Sequence, residues 1–163
     1  MIYRKEIWEF EIKDPYLKQN IYSDPTICPS CGLVYHNKRW IRNEELKKKF
    51  EKEKKVEYKK CPACRKIEDK YPLGEVKLSG KYLFQHKEEI KNLINNVVER
   101  EQNINPLARI MEWKENEEGF EITTTTDTLA KKIGLAVYKA CKGEIDIQLV
   151  DGHKYIRIKW RRD

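Results

Sequence analysis

No stretch of this chain is apolar for long enough to cross a bilayer, and charges break every short hydrophobic run. The opening residues, MIYRKEIWEFEIKD, lack the apolar core of a secretory signal. The expectation is a cytoplasmic protein whose cysteines stay reduced unless they hold metal. The patterns that announce common chemistries are missing as well. There is no phosphate-binding GxxxxGK[ST] loop, no HExxH, no Ser/His/Asp set and no convincing pair of acid–base carboxylates. No internal repeat is visible. These absences argue against an enzyme and against a small-molecule substrate.

Charge is what the chain has in abundance. Of 163 residues, 34 are Lys or Arg and 27 are Asp or Glu, for a net charge of +7 and a pI near 9.0. That length makes one ordinary domain or two small ones. The Lys/Glu/Ile-rich composition is the kind that ion-pair networks favour in thermophiles. A basic domain of this size leans toward nucleic acid or another polyanion, against the simpler reading of a solvated charged surface.

The strongest local signal is PTICPSCGLVYHNKRW, residues 25–40, together with CPACRK, residues 61–66. Cys28 and Cys31 form one CxxC pair and Cys61 and Cys64 the other, with 29 residues between them (32–60). Two residues between cysteines let a tight turn aim both sulfurs at one ion, while backbone N–H groups offset the thiolate charge. Pro after each first cysteine stiffens the turn, and Gly32 can adopt positive φ. Four thiolates around one Zn²⁺ make a closed structural site with no position left for water. The spacer exceeds the common ~15–20 residues, and an inserted helix accounts for the excess. Iron in a rubredoxin-type site uses similar knuckles. A dithiol oxidoreductase would need a thioredoxin-like βαβ context, which is not apparent. The fifth cysteine, Cys141, falls on the apolar side of a predicted helix and reads as a small buried hydrophobe.

The fold reading is α+β: a four-cysteine zinc ribbon with an inserted helix, a long connecting helix, and a small ββαββ domain with an antiparallel sheet. The units are 1–78, ribbon with an N-terminal arm; 79–105, connecting helix; and 106–163, ββαββ. In the ribbon, NEELKKKFEKEKK is an exposed helix capped by Asn43, with Leu46 and Phe50 as its few apolar positions. YPLGEVKLSG holds a short strand. Ser79 is the expected N-cap of a helix over roughly 80–103 that ends before Pro106. ARIMEWKEN and FEITTTT form a hairpin. Asp127 caps a helix over 128–142, Gly143 ends it, and EIDIQLV, DG and KYIRIKWRR close the domain.

Two surfaces are candidates for an anionic partner. From Lys38 to Lys70 there are 14 basic and 7 acidic residues, a surplus of 7. His36, Lys38, Arg39, Trp40, Arg65 and Lys66 are its candidate contacts, cations for phosphates and rings for unpaired bases. In the last strand, Ile156, Ile158 and Trp160 point to the core, while Tyr155, Arg157, Lys159 and Arg161 make a basic stripe on the other face. The alternative for that stripe is a charged edge strand that blocks aggregation.

As a set, PTICPSCGLVYHNKRW, CPACRKIEDKYPLGEVKLSG and TTTTDTLAKKIGLAVYKACKGEIDIQL resemble a family of small prokaryotic zinc-ribbon proteins, from about Asp14 to Trp160. That family is similar in turn to the N-terminal zinc region of the large-ribosomal-subunit export adaptor of the nonsense-mediated-decay type. Cys28, Cys31, Cys61 and Cys64 match its metal positions, and Thr123 to Gly134 resembles its strand-to-helix step. The adaptor carries more cysteines, plus a long C-terminal portion and export signals that this chain lacks, so the resemblance implies RNA or ribosome contact without nuclear export. The resulting expectation is a non-catalytic zinc-ribbon RNA-binding protein associated with the ribosome or translation. The alternatives are a zinc-dependent protein–protein adaptor, a DNA-binding regulator, or a CxxC oxidoreductase.

Overall fold

A computed structural model describes residue 16, residues 22–150 and residues 154–163. The expected N-terminal arm, apart from Tyr16, and the DG turn of the last hairpin lie outside the described residues. Among the described residues, no helix is long and apolar enough to cross a membrane.

The chain is a mixed α+β structure with two sheets. The first is small, in the order β3-β2-β1-β4, built from β1 (Thr26–Ile27), β2 (Val34–His36), β3 (Arg39–Ile41) and β4 (Glu57–Tyr58). β2 and β3 form a hairpin whose two turn residues, Asn37 and Lys38, both have positive φ, at 53° and 65°. This is the turn that matches the right-handed twist of paired strands, and Asn tolerates it well. Helix α1 (Glu44–Glu53) follows, with the Asn43 side chain accepting from the Leu46 N–H at 3.0 Å, as its sequence predicts. It is not purely solvent-washed. Phe50 is buried against Ile27 and Val34, because strands this short need an apolar lid.

The second cysteine pair opens a helix that sequence reasoning did not anticipate, α2 (Pro62–Asp69). Cys61 is its N-cap and Pro62 fills the first helical position, where a missing N–H is harmless.

The second sheet has five strands in the order β6-β7-β5-β9-β8: β5 (Gly74–Ser79), β6 (Ile110–Glu115), β7 (Gly119–Thr124), β8 (Glu144–Leu149) and β9 (Ile156–Arg161). The expected ββαββ order is present, but the sheet is mixed, not antiparallel. β5 enters its centre, antiparallel to β7 and parallel to β9. Val76 and Leu78 alternate with polar neighbours and reach almost complete burial there, which an edge position would not provide.

The expected single connecting helix is two. Gly80, with φ at +108°, precedes α3 (Lys81–Gln85), so Ser79 ends a strand instead of capping a helix. The chain turns at His86 and continues as α4 (Lys87–Ile104), which ends before Pro106 as expected. α4 is more than a connector: Ile90, Ile94 and Val97 belong to the main core. Its buried Glu101 pairs with Lys132 of α5 (Asp127–Cys141). α4 and α5 together cover one face of the sheet. Thr126, not Asp127, caps α5, and Cys141 is buried near its end.

Gly134 sets the approach of α5 to β9. A Cβ built on it would stand 2.6 Å from Ile158 Cγ2. Gly134→Ala should therefore lose about 1–3 kcal/mol despite the better helix propensity of Ala. Urea denaturation would show it, and an unchanged or raised midpoint would mean that α5 can lift freely off the sheet.

Candidate metal centre and its basic surroundings

Four sulfurs converge. The Sγ atoms of Cys28, Cys31, Cys61 and Cys64 all lie within 4.8 Å of one another, and Cys31 and Cys61 are 3.7 Å apart. Zn–S bonds of about 2.3 Å in a tetrahedron put sulfurs about 3.8 Å apart, so the donor set and its spacing fit one zinc ion. Zinc would supply the central positive charge that lets four thiolates share one small volume.

Local backbone builds each half. In the first, Gly32 at φ +80° donates its N–H to the Cys28 carbonyl, and the Cys28 N–H reaches the Leu33 carbonyl, both at 2.9 Å. In the second, the Cys64 N–H points at Cys61 Sγ from 3.4 Å, at the N-terminal end of α2. A helix N-terminus carries partial positive charge and favours thiolate.

The thiols do not share charge evenly. Cys31 is held down to about 4 by a hydrogen bond with Cys61, against burial, with further help from the Leu33 N–H and from Arg109. Cys61 is pushed up by that same bond with Cys31 and by burial. Cys64 is pushed up mainly by burial, partly offset by Arg109. One thiolate thus opposes the next, as expected where like charges crowd and a cation is needed to ionise them together.

Arg109 and Lys66 are the neighbours of the cluster whose placement the sequence does not reveal. Arg109 comes from the residue just before β6 and donates to Cys31 Sγ at 3.1 Å and to Cys64 Sγ at 3.2 Å. These contacts span 78 and 45 residues, and nothing local in PLARIM marks them. Burial works against the charge of Arg109, but its bonds to Cys31 and then Cys64 outweigh that and hold its pKa above the usual arginine value. Lys66, expected to contact nucleic acid, is instead only 2% exposed and donates to the Thr125 carbonyl at 2.9 Å. α2 turns it inward, where it ties the cysteine lobe to the large sheet.

The remaining candidates divide. Trp40 is 8% exposed and packs edge-on to Tyr22 and against Tyr35. It belongs to the small core beside the cysteines, because a lobe with so few apolar residues uses its largest ring for packing. His36 pairs with Asp24 at 2.8 Å and leans on Phe50. Arg65 is half-buried, 5.1 Å above the Tyr16 ring and 3.4 Å from Tyr22 Oη. Lys38 and Arg39 are exposed at the β2–β3 hairpin tip.

The C-terminal stripe is exposed but not free. Strand β9 alternates as its sequence predicts, with Ile156, Ile158 and Trp160 buried. Tyr155 donates to Glu75 at 3.1 Å, Arg157 lies 3.7 Å from Glu75, and Arg161 pairs with Asp163. Lys159 stands level with Lys77 on one side and Asp146 on the other. Across the open face, Lys77, Lys114, Arg157, Lys159 and Arg161 are matched in number by Glu75, Glu112, Glu121, Glu144 and Asp146. The stripe loses its net charge because β5 and β8 bring acids beside it.

Cations that make no ion pair collect elsewhere, although α1 carries Glu44, Glu45, Glu51 and Glu53 beside its four lysines. Among the described residues, no carboxylate lies within ion-pair distance of Lys38, Arg39, Arg42, Lys47, Lys48, Lys49 or Lys52. Arg39 and Arg42 also line a groove of about 750 Å³ between the hairpin and the end of α4, opposite Glu99, Gln102, Asn103 and Asn105, and Arg42 there donates to the Cys31 carbonyl at 3.1 Å.

No protein-family model matches the chain, and no curated protein does.

Proposed function

We propose that the protein is a non-catalytic zinc-ribbon RNA-binding protein, with zinc holding the fold and the cysteine lobe gripping the ligand. The observation that carries this reading is the uneven placement of cations. Lys38 and Arg39 of the hairpin and Arg42 beside it lie outside ion-pair distance of any carboxylate among the described residues, and the lysines of α1 make no ion pair with the four glutamates of that helix, whereas on the β9 stripe Arg157 and Arg161 are paired with acids and Lys159 stands beside Asp146. Unpaired surface cations bind phosphates and release counterions. The groove beside them offers arginines for the backbone and amide side chains for base edges. Tyr58, 56% exposed in the same lobe, is an aromatic face free to stack. The resemblance to zinc regions of ribosome-binding adaptors supports RNA over DNA and supports association with the large subunit or with translation.

A salt titration of RNA binding tests the proposal. The zinc-loaded full chain should bind a single-stranded RNA probe with affinity that falls steeply as salt rises. Replacing Lys38 and Arg39, both exposed at the hairpin tip, by Ala should reduce affinity about tenfold and flatten the salt slope by roughly 1.4. Zinc content should not change. Absence of salt-dependent binding at low ionic strength would overturn the reading.

A second reading has its own support. Leu135 and Tyr138 on α5, and Ile147 and Leu149 on the edge strand β8, are exposed apolar side chains at 39–66%. A protein-docking role predicts a complex that survives RNase treatment.

A further inference from the structure

Arg109 reaches the cysteine cluster from the other half of the molecule, and its backbone is pinned there. Its N–H donates to Thr125 Oγ1 and its carbonyl accepts from the Thr125 N–H, both at 2.9 Å. Thr125 Oγ1 in turn donates to the Leu107 carbonyl at 2.6 Å. The Arg109 Nε bonds the Pro106 carbonyl at 3.3 Å. The guanidinium is thus preset, with its two terminal nitrogens directed at different sulfurs, Cys64 and Cys31. These two are the half-buried members of the set, whereas Cys28 and Cys61 are buried. Lys66 runs the opposite way, from the cysteine lobe to the Thr125 carbonyl. Two cations cross between the lobes in opposite directions and converge on one threonine.

Four thiolates around a dication leave a charge of about −2 on the sulfurs, exposed mainly at Cys31 and Cys64. A planar guanidinium can address two such acceptors at once, and a Lys ammonium on a flexible stem cannot do so with the same geometry. Hydrogen bonds of this kind draw electron density from sulfur and stabilise the bound metal. They also place a condition on the fold. Arg109 is half-buried with both terminal nitrogens directed at sulfurs, so a cluster that disperses once the metal leaves would strand a guanidinium without its acceptors.

We propose that Arg109 is the charge-compensating positioning residue of the metal centre, and that its bonds to Cys31 and Cys64 make metal loading the condition for docking the cysteine lobe on the large sheet. The proposal goes beyond the RNA-binding reading and does not depend on it. The large sheet folds around its own core and the cysteine lobe around the metal, and the sulfur–guanidinium contact reports the state of one to the other.

The test uses the full chain loaded with Co²⁺ or Zn²⁺. Arg109→Met should shift the thiolate-to-cobalt charge-transfer band and speed zinc release to a chromophoric chelator by 10- to 100-fold. Arg109→Lys should fall between it and the parent protein. Trp160→Phe, at the end of the sheet away from Thr125, loses a hydrogen bond to Lys142 and destabilises the fold but should leave band and release rate alone. Zinc removal from the parent protein should raise amide exchange at Arg109 and Thr125 by at least about tenfold, with the amides of β7 toward Gly119 unchanged. An unshifted band with release within twofold of the parent, or unchanged exchange at Thr125 after zinc removal, overturns the proposal. Should Arg109→Met fail to fold, the Lys variant decides: a threefold or larger acceleration with a shifted band supports the proposal, and parent-like values overturn it.

Discussion

Stripping the metal should unfold the cysteine lobe and leave the large sheet standing. The lobe has little else to hold it. Its buried residues fall into two small clusters, Cys28, Leu33, Trp40, Cys61 and Ala63, and Ile27, Val34 and Phe50. Its strands are two or three residues long. A core of that size rarely outweighs chain entropy without a staple. Zinc held by four thiolates contributes roughly 10–16 kcal/mol, more than such a lobe could otherwise supply. The large sheet has its own continuous core, from Val76 and Ile90 through Phe120 and Ile133 to Trp160. After chelation under reducing conditions, amides of β2, β3 and α1 should exchange freely while those of β5, β7 and β9 stay protected. Cys61→Ser should reproduce the effect. Persistent protection of the β2–β3 hairpin, with four thiols open to titration, would show that metal is dispensable for this lobe.

Trp160→Ala should be among the most damaging single changes in the other half. Trp160 is 1% exposed in strand β9, next to the central strand, and its indole N–H donates to the Lys142 carbonyl that ends α5. Removing the ring leaves a cavity and an unpaired carbonyl, a loss of about 3–5 kcal/mol. Trp160→Phe keeps most of the volume and loses the hydrogen bond, so about 1–2 kcal/mol is expected. Urea titrations of the two variants separate packing from hydrogen bonding. A loss under about 1 kcal/mol for the Ala variant would mean that β9 can be removed from the core at little cost, contrary to its burial.

Local patterns in the chain carried a large part of this. The CxxC pairs mark all four sulfurs of the cluster, because their spacing leaves few other uses for them. Asn43 marked the start of α1, and the alternation in KYIRIKW marked the buried face of β9, because capping and period-two burial act between near neighbours. Where the reading departed from the structure, the missing information was long-range. GEVKLS reads as a lone strand beside the ribbon and becomes the centre of a mixed sheet, since pairing partners lie some 40 to 80 residues away and leave no local trace. The basic stripe of β9 was visible, but the acids that neutralise it arrive on β5 and β8.

What the sequence by itself determined is the four-cysteine set, the charge surplus near it, and the elements whose signals are local. Tertiary structure alone decided which cations face solvent and which serve the fold. Lys66 and Arg39 are both basic residues near cysteines, but α2 buries one and a tight hairpin exposes the other. It also brought Arg109 to two sulfurs that lie 78 and 45 residues away along the chain. The physical reason is common to both. Composition and period reflect interactions between neighbours in the chain, whereas the charge at a site is the sum over every element that folding brings there.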